Sequence, residues 1–247
     1  MCGRYMLSSP KRRIIDVFEV REWLEYDEMP LFRGLSPRYN IAPTQPIAII
    51  EHHQGSRRLR FVRWGLIPSW VKDPSDLKSD LINARAEGIG DKPSFRAAFR
   101  QRRCLVPADG FYEWQARGKA GKQPYLIRRS DGQPLALAGL CEHWQDAHGN
   151  EIDSATIITT SANSLLRPIH ERMPVILPPA AWAAWLGEAE AGAEDLAELL
   201  KPCDLLALEL TPVSRRINTP ANEGASLLKP DVPALQQSHQ PGLLDDQ

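Results

Sequence analysis

The 247-residue sequence has no long apolar segment. No uninterrupted apolar run reaches the roughly 18 residues that a membrane-spanning helix needs. The first residues, Met-Cys-Gly-Arg-Tyr, contain no apolar core of the kind that a secretory signal peptide carries. We therefore expect a cytoplasmic protein that does not engage a membrane.

Cysteines are few, and two common kinds of site are not indicated. The four cysteines stand at positions 2, 104, 141 and 203 without any C-x-x-C spacing, which argues against a zinc site and against a redox-active dithiol. There is also no G-x-G-x-x-G sequence and no P-loop, so no nucleotide cofactor is indicated. We expect a protein with free thiols that uses neither a metal nor a cofactor.

The net charge of −1 conceals a strong asymmetry along the chain. Residues 1–130 hold 24 Lys and Arg against 14 Asp and Glu, whereas residues 131–247 hold 6 against 17. Most of the positive charge comes from arginines in short clusters, and arginine favours bidentate contacts with phosphate. The basic half predicts a polyanionic partner. The alternative is that its arginines are paired internally with the acidic half.

Short apolar or alternating segments dominate the sequence and predict a β-rich protein. Ser9-Pro10 and the apolar stripe after it predict a helix over roughly 10–26. The mixed order of elements predicts an α+β fold: a single compact domain of distorted, barrel-like antiparallel sheets with flanking short helices. Further helices are predicted near 93–100, 179–187 and 192–201, and strands at 46–51, 58–64, 103–107, 111–115, 124–129, 134–141, 153–160 and 205–213.

The second residue carries the most distinctive chemistry in the chain. Removal of the initiator Met, which is usual before a small residue, would leave Cys2 with a free α-amine beside its thiol. Such a 1,2-aminothiol condenses with an aldehyde to a Schiff base and then closes a stable five-membered thiazolidine. Neither an internal cysteine nor a lysine can do this. Taken alone, however, a cysteine at position 2 is also compatible with chance.

Four later segments place reactive side chains at the ends of predicted strands. Asn83, Arg85 and Glu87 alternate in an extended segment and so share one face. Glu113 lies among aromatic residues that would raise its pKa by desolvation, which suits acid–base work. His170 precedes an apolar strand and could carry a proton, and Trp70 could stack on an unpaired base. The structural alternatives are a solvated strand face, an exposed glutamate, a structural histidine and a core tryptophan.

Taken together, these segments make residues 1 to about 220 resemble the SRAP family (SOS response-associated peptidase), the abasic-site processing proteins. The motifs that carry the resemblance are MCGRY at the start, NIAPTQ at 40–45, WGLIPSW at 64–70, INARAE at 82–87, RRCLVPADGFYEW at 102–114, ITTSAN at 158–163 and HERMP at 170–174. Each motif alone is weak, but all of them in this order are specific. We expect the domain to fill residues 1–225 and residues 226–247 to be a disordered tail.

The resemblance implies a monomer that binds single-stranded DNA containing abasic sites and forms a covalent cross-link with them. It also implies association with the nucleoid during the SOS response, self-processing removal of Met1, and a lyase side reaction from the Schiff base. The family's catalytic residues map onto Cys2, Asn83, Glu113 and His170, with Cys2 as the cross-linking residue, and its DNA-binding residues map onto Arg4, Trp70, Arg85 and Arg172.

Two other functions stay open from the residues alone. One is a cysteine peptidase or N-terminal-nucleophile hydrolase, in which Cys2 attacks peptides with His170 or Glu113 as its base. The other is a non-covalent single-stranded DNA-binding module in which Cys2 is incidental. The first predicts peptide turnover and indifference to DNA, and the second predicts unchanged function when Met1 is retained.

Overall fold

Thirteen β-strands and four short α-helices make up the part of the chain that the computed structural model describes, residues 2–23, 36–77, 79–204 and 206–231. In that part, no helix is long and apolar enough to cross a membrane. The strands are β1 (Tyr5–Leu7), β2 (Glu22–Trp23), β3 (Arg38–Ile41), β4 (Pro46–His53), β5 (Ser56–Trp64), β6 (Asn83–Arg85), β7 (Arg103–Ala108), β8 (Gly110–Ala116), β9 (Lys122–Arg129), β10 (Leu135–Gln145), β11 (Glu151–Ser161), β12 (Arg172–Pro174) and β13 (Leu208–Pro212). The helices are α1 (Lys11–Phe18), α2 (Arg96–Gln101), α3 (Trp182–Leu186) and α4 (Ala193–Glu198).

Five of the strands close into a barrel. The antiparallel order is β11-β10-β7-β4-β5, and β5 returns to β11 through a short parallel ladder that pairs Arg63 with Ser154 and Trp64 with Ala155. Strands in this ring are largely apolar, and β10 is buried continuously over residues 135–142. Closure leaves the ring without a free edge. β6 and β12 then pair with the last residues of β11.

A second sheet packs beside the barrel in the order β13-β9-β8-β1-β3, and all of its pairings are antiparallel. The turn into β8 requires a glycine. A Cβ atom at Gly110 would lie 2.7 Å from the carbonyl oxygen of Ile127 on β9, closer than a side chain can approach a backbone. Gly110 therefore lets β8 lie tightly against β9.

The two sheets share one apolar core. Trp64 of the barrel is fully buried and meets Tyr5 of β1 edge-to-face, with ring centroids 5.5 Å apart. Burying one such side chain stabilises the fold by about 1.5–3 kcal/mol. A smaller cluster on the other face of the second sheet includes Leu227, so packing continues beyond residue 225. The predicted tail lies largely outside the described residues, which end at 231.

The structure confirms the β-rich α+β fold and every predicted strand segment, and helices lie within or near the three later helical ranges. The first helix is shorter than predicted. It ends at Phe18, where Glu19 adopts a left-handed conformation with φ of 54°. The chain then pairs with β5 at Glu22 and Trp23 as β2. This pairing satisfies backbone N–H and C=O groups that a longer helix would have satisfied internally. Residues 24–26 of that prediction lie outside the described part.

Candidate functional site

The start of the chain is held as an inner strand of the second sheet, between β3 and β8. Tyr5 pairs with Phe111, and the Tyr112 N–H donates to the Arg4 carbonyl at 2.9 Å. This antiparallel register, continued toward the N-terminus, sets Gly3 opposite Glu113. Residue 2 therefore lies beside β8 instead of fraying into solvent, as chain ends usually do.

Cys2 and Glu113 are both buried at this place, with 0% and 2% of their surface exposed. Burial raises the pKa of the Cys2 thiol, and the neighbouring Glu113 carboxylate raises it further. Burial also raises the pKa of Glu113 from 4.5 to about 7, although the positive charge of the amino terminus opposes the shift. The site thus pairs a protonated thiol with a carboxyl group that changes its ionisation near neutral pH.

His170 approaches the same place from the loop before β12. Burial lowers its pKa, and the positive charge of the amino terminus lowers it further. Its Nδ1 atom lies 3.0 Å from the Arg172 backbone nitrogen and 3.3 Å from the Arg172 carbonyl oxygen. Taking the shorter contact as the hydrogen bond, with the backbone N–H as donor, assigns the proton of the neutral ring to Nε2. The Gln115 side chain donates to the Pro168 carbonyl at 3.3 Å and ties this loop to β8. His170 is therefore a neutral hydrogen-bond donor near the start of the chain.

Asn83 is the first residue of β6, and one end of its side-chain amide is held by a hydrogen bond. The Nδ2 atom donates to the Ile157 carbonyl at 3.3 Å. The Oδ1 atom is buried and has no hydrogen-bond partner among the described residues. A buried amide oxygen left in this way is costly unless a ligand or solvent donor reaches it. Asn83 therefore offers an oriented acceptor to a bound molecule.

Asn83, Arg85 and Arg172 lie on one face of the sheet. β6 pairs Asn83 with Ile157 and Arg85 with Thr159, and β12 pairs Arg172 with Ser161. Paired residues point to the same side of a sheet, and alternate residues of β11 share that side. The structure therefore agrees with the predicted alternation of Asn83 and Arg85 on one face, and the sheet adds Arg172 to it.

The four residues expected to contact DNA differ in exposure. Arg85 is exposed, and Trp70 has 62% of its surface exposed. Arg172 is mostly buried and forms an ion pair with Glu87 at 2.6 Å. Arg4 is half-buried, and its Nη1 atom donates to the Asn40 side chain and to the Ile217 carbonyl, both at 2.7 Å. In the free protein, Arg4 thus fastens the N-terminal strand to the segment after β13.

The sequence matches the family model described as SOS response associated peptidase (SRAP) over residues 1–220. The chain belongs to the SRAP family. The abasic site processing protein YoqW of Bacillus subtilis is 39% identical over 229 residues, which cover 93% of this chain and 99% of YoqW. The abasic site processing protein YedK of Escherichia coli is 30% identical over 93% of this chain and all of YedK.

A solved structure supports the SRAP assignment. The crystal structure of a protein from Bacteroides thetaiotaomicron superimposes with a TM-score of 0.81 at 27% sequence identity. The match covers 94% of this chain and 100% of that protein. The two proteins therefore share one fold over nearly their whole lengths.

Most arginine clusters of the SRAP chain turn out to be paired internally. Several of their partners lie in the acidic half, as the alternative interpretation of the charge asymmetry predicted. The basic surface available to a polyanion is therefore smaller than the composition indicates. Four of the pairs that join the two halves within the described residues are Arg57–Glu188 at 2.7 Å, Arg60–Asp153 at 2.8 Å, Arg102–Glu142 at 2.8 Å and Arg128–Glu209 at 2.6 Å.

Two residues that position the N-terminal strand are not recognisable from residue type alone. The Asp109 carboxylate accepts the backbone N–H groups of Ser8 and Ser9, each at 2.6 Å, and so clamps the end of β1. Asn40 is fully buried; it accepts from Arg4 and donates to three carbonyls of residues 217–222. In the sequence, Asp109 and Asn40 stand out only as members of two family motifs, RRCLVPADGFYEW and NIAPTQ.

No group of three or more His, Cys, Asp and Glu side chains within the described residues could hold a metal ion.

Proposed function

We propose that this SRAP protein captures abasic sites in single-stranded DNA by forming a thiazolidine between Cys2 and the sugar aldehyde, in the response to DNA damage. The observation that carries the proposal is the burial of Cys2 beside Glu113, whose pKa is raised to about 7. The relatives named abasic site processing proteins support the choice of substrate.

The first step is removal of Met1. The Cys2 nitrogen is part of a peptide bond in the full sequence, and only a free amine can form an imine. Hydrolysis consumes one water and releases methionine. The family description as a peptidase supports self-processing, with Glu113 as the nearby base.

The free α-amine, whose ordinary pKa is about 7.7–8.0, then attacks the open-chain aldehyde. Glu113 accepts a proton from the attacking nitrogen and returns one to the departing hydroxyl, so that water leaves and an imine forms. The thiol next adds across the C=N bond. Sulfur bonds to carbon, and the thiol proton reaches nitrogen by way of Glu113. Because burial keeps the Cys2 thiol protonated, this closure needs such a base.

His170 and Asn83 act on the sugar. The Nε2–H of neutral His170 donates to the ring oxygen, which favours opening of the closed hemiacetal to the aldehyde. The Oδ1 atom of Asn83 accepts from a sugar hydroxyl or from the ring nitrogen. If ring closure is slow, the imine permits β-elimination of the 3′ phosphate, which makes strand cleavage a side reaction.

The DNA strand lies over the face that carries Arg85. The Arg85 side chain is exposed there, and exposed Lys122 is close enough to act electrostatically on His170. Exposed Trp70 supplies a stacking surface for a neighbouring base. These cations position the phosphates without reading sequence.

The test is intact-mass analysis after incubation with a single-stranded oligonucleotide that holds one abasic site. We expect loss of Met1 and a heat-stable adduct whose mass is the sum of the two molecules minus one water. Cys2→Ser is the matched control: it keeps the amine but replaces sulfur with oxygen, and it should lose the stable adduct. An undiminished heat-stable adduct in Cys2→Ser would exclude the thiazolidine. Cleavage of peptides without reaction with DNA would favour the hydrolase.

A further inference from the structure

The carboxylate of Glu87 forms a bidentate ion pair with the guanidinium of Arg172. Its two oxygens accept from Nη1 at 2.6 Å and from Nη2 at 3.0 Å, the bidentate geometry that arginine also offers to phosphate. The Arg172 side chain is only 17% exposed, whereas that of Glu87 is 59% exposed. Glu87 thus covers Arg172 from the solvent side.

The surroundings of this pair match those of a phosphate site. Nη2 of Arg172 also donates to the Thr159 carbonyl at 2.6 Å, which fixes the plane of the guanidinium. Arg172 lowers the pKa of Glu87 through its hydrogen bond, and the charge of Arg85 lowers it further. The carboxylate therefore lies within the field of two arginines that share one face of the sheet. An incoming phosphate would meet the same two arginines.

We infer that Glu87 is an internal substitute for a DNA phosphate, which incoming DNA must displace from Arg172. The inference rests on the proposed function. Both groups carry a single negative charge and both fit the arginine fork, so exchanging one for the other adds little affinity. The Arg172 contact then orients the strand while undamaged single-stranded DNA stays weakly bound. The covalent cross-link, and not the Arg172 contact, then holds damaged DNA on the protein.

The experiment measures the affinity of undamaged single-stranded DNA by fluorescence anisotropy at one salt concentration. Glu87→Gln keeps the size of the side chain and removes its charge, and we expect it to bind about fivefold more tightly, the upper range for a partly exposed ion pair. Glu171→Gln is the matched control, because it removes an equal charge next to Arg172 without breaking the pair. It should change the affinity much less.

A double-mutant cycle assigns the effect to Arg172. In an Arg172→Gln background, Glu87→Gln should no longer tighten binding. Weaker binding by Glu87→Gln would mean that Glu87 only orients Arg172. An equal gain in affinity in Glu171→Gln would mean that loss of any nearby negative charge strengthens DNA binding. Either result overturns the inference. Adduct formation by the wild-type protein with abasic DNA is measured in parallel, since its absence would refute the proposed function instead.

Discussion

Replacing Glu113 with Gln should stabilise the protein at alkaline pH while it slows adduct formation. The pKa of Glu113 is about 7 in the folded protein, against 4.5 for an exposed glutamate. Ionisation of Glu113 therefore lowers the free energy of unfolding. Since each unit of pKa corresponds to 1.36 kcal/mol, the difference amounts to about 3 kcal/mol. Because the pKa is higher in the folded than in the unfolded state, the stability that protonated Glu113 contributes is fully present below pH 4.5 and is lost as the pH rises through about 7.

The assay is urea unfolding of the wild type and Glu113→Gln across this pH range. The stability of the variant relative to the wild type should grow by about 3 kcal/mol between pH 4 and pH 8. Glu142→Gln is the control at a second buried glutamate, which pairs with Arg102 at 2.8 Å. It should lower the stability, because it leaves Arg102 without its charge partner. A constant difference between the wild type and Glu113→Gln across the range would refute the reasoning.

The same variant tests the catalytic assignment. The rate of adduct formation by the wild type should rise with pH as the α-amine, with its ordinary pKa of about 7.7–8.0, loses its proton, and it should show a further inflection near 7, where the Glu113 carboxylate ionises. In Glu113→Gln the rate should fall by roughly 10²–10⁴-fold, the usual contribution of a general base, and this inflection should disappear. A more stable but slower enzyme would show that the buried carboxylate serves chemistry at the expense of folding.

Three other substitutions probe the strand clamp at Asp109 and the proposed DNA-binding face. Asp109→Ala should lower the stability by at least about 2 kcal/mol and slow adduct formation without moving the pH midpoint; unchanged urea unfolding would contradict the clamp. Arg85→Gln should reduce the slope of log affinity against log salt by about 0.7, whereas Arg128→Gln on the second sheet should leave it unchanged. Trp70→Ala should weaken single-stranded DNA binding by about 1–3 kcal/mol whatever the base sequence, and a sequence-dependent loss would argue against stacking.

Much of the fold could be predicted because local apolar patterning and turns mark the strands. β4 and β5 are two such strands, joined at Gln54-Gly55, where both φ angles are positive, as a tight hairpin turn requires. The closure of the barrel could not be predicted in this way. It depends on parallel pairing of Trp64 with Ala155, which lie 91 positions apart in the chain. Likewise, the first helix ends early because its continuation pairs with β5.

For the candidate site, the sequence permits a prediction where residue type alone indicates chemistry. Cys2 is distinctive because of its position, and Glu113 because of its aromatic neighbours. The environment of the arginines was not predictable, since it depends on sheet register. Arg172 meets Glu87 only because β6 and β12 both pair with β11. The bonds from Arg4 to Asn40 and Ile217 span 36 and 213 positions of the chain, beyond the reach of any local pattern.

The pairing of β1 with β8 has a consequence for biosynthesis. Cys2 is among the first residues to leave the ribosome, but the strand that carries Glu113 follows more than 100 residues later. At about 5–20 residues per second, that interval lasts roughly 5–20 s. During it, the nascent chain carries Cys2 without Glu113, so the proposed reaction becomes available only when β8 is complete. A tag or an acyl group on the N-terminus would, by the same geometry, block the amine for good.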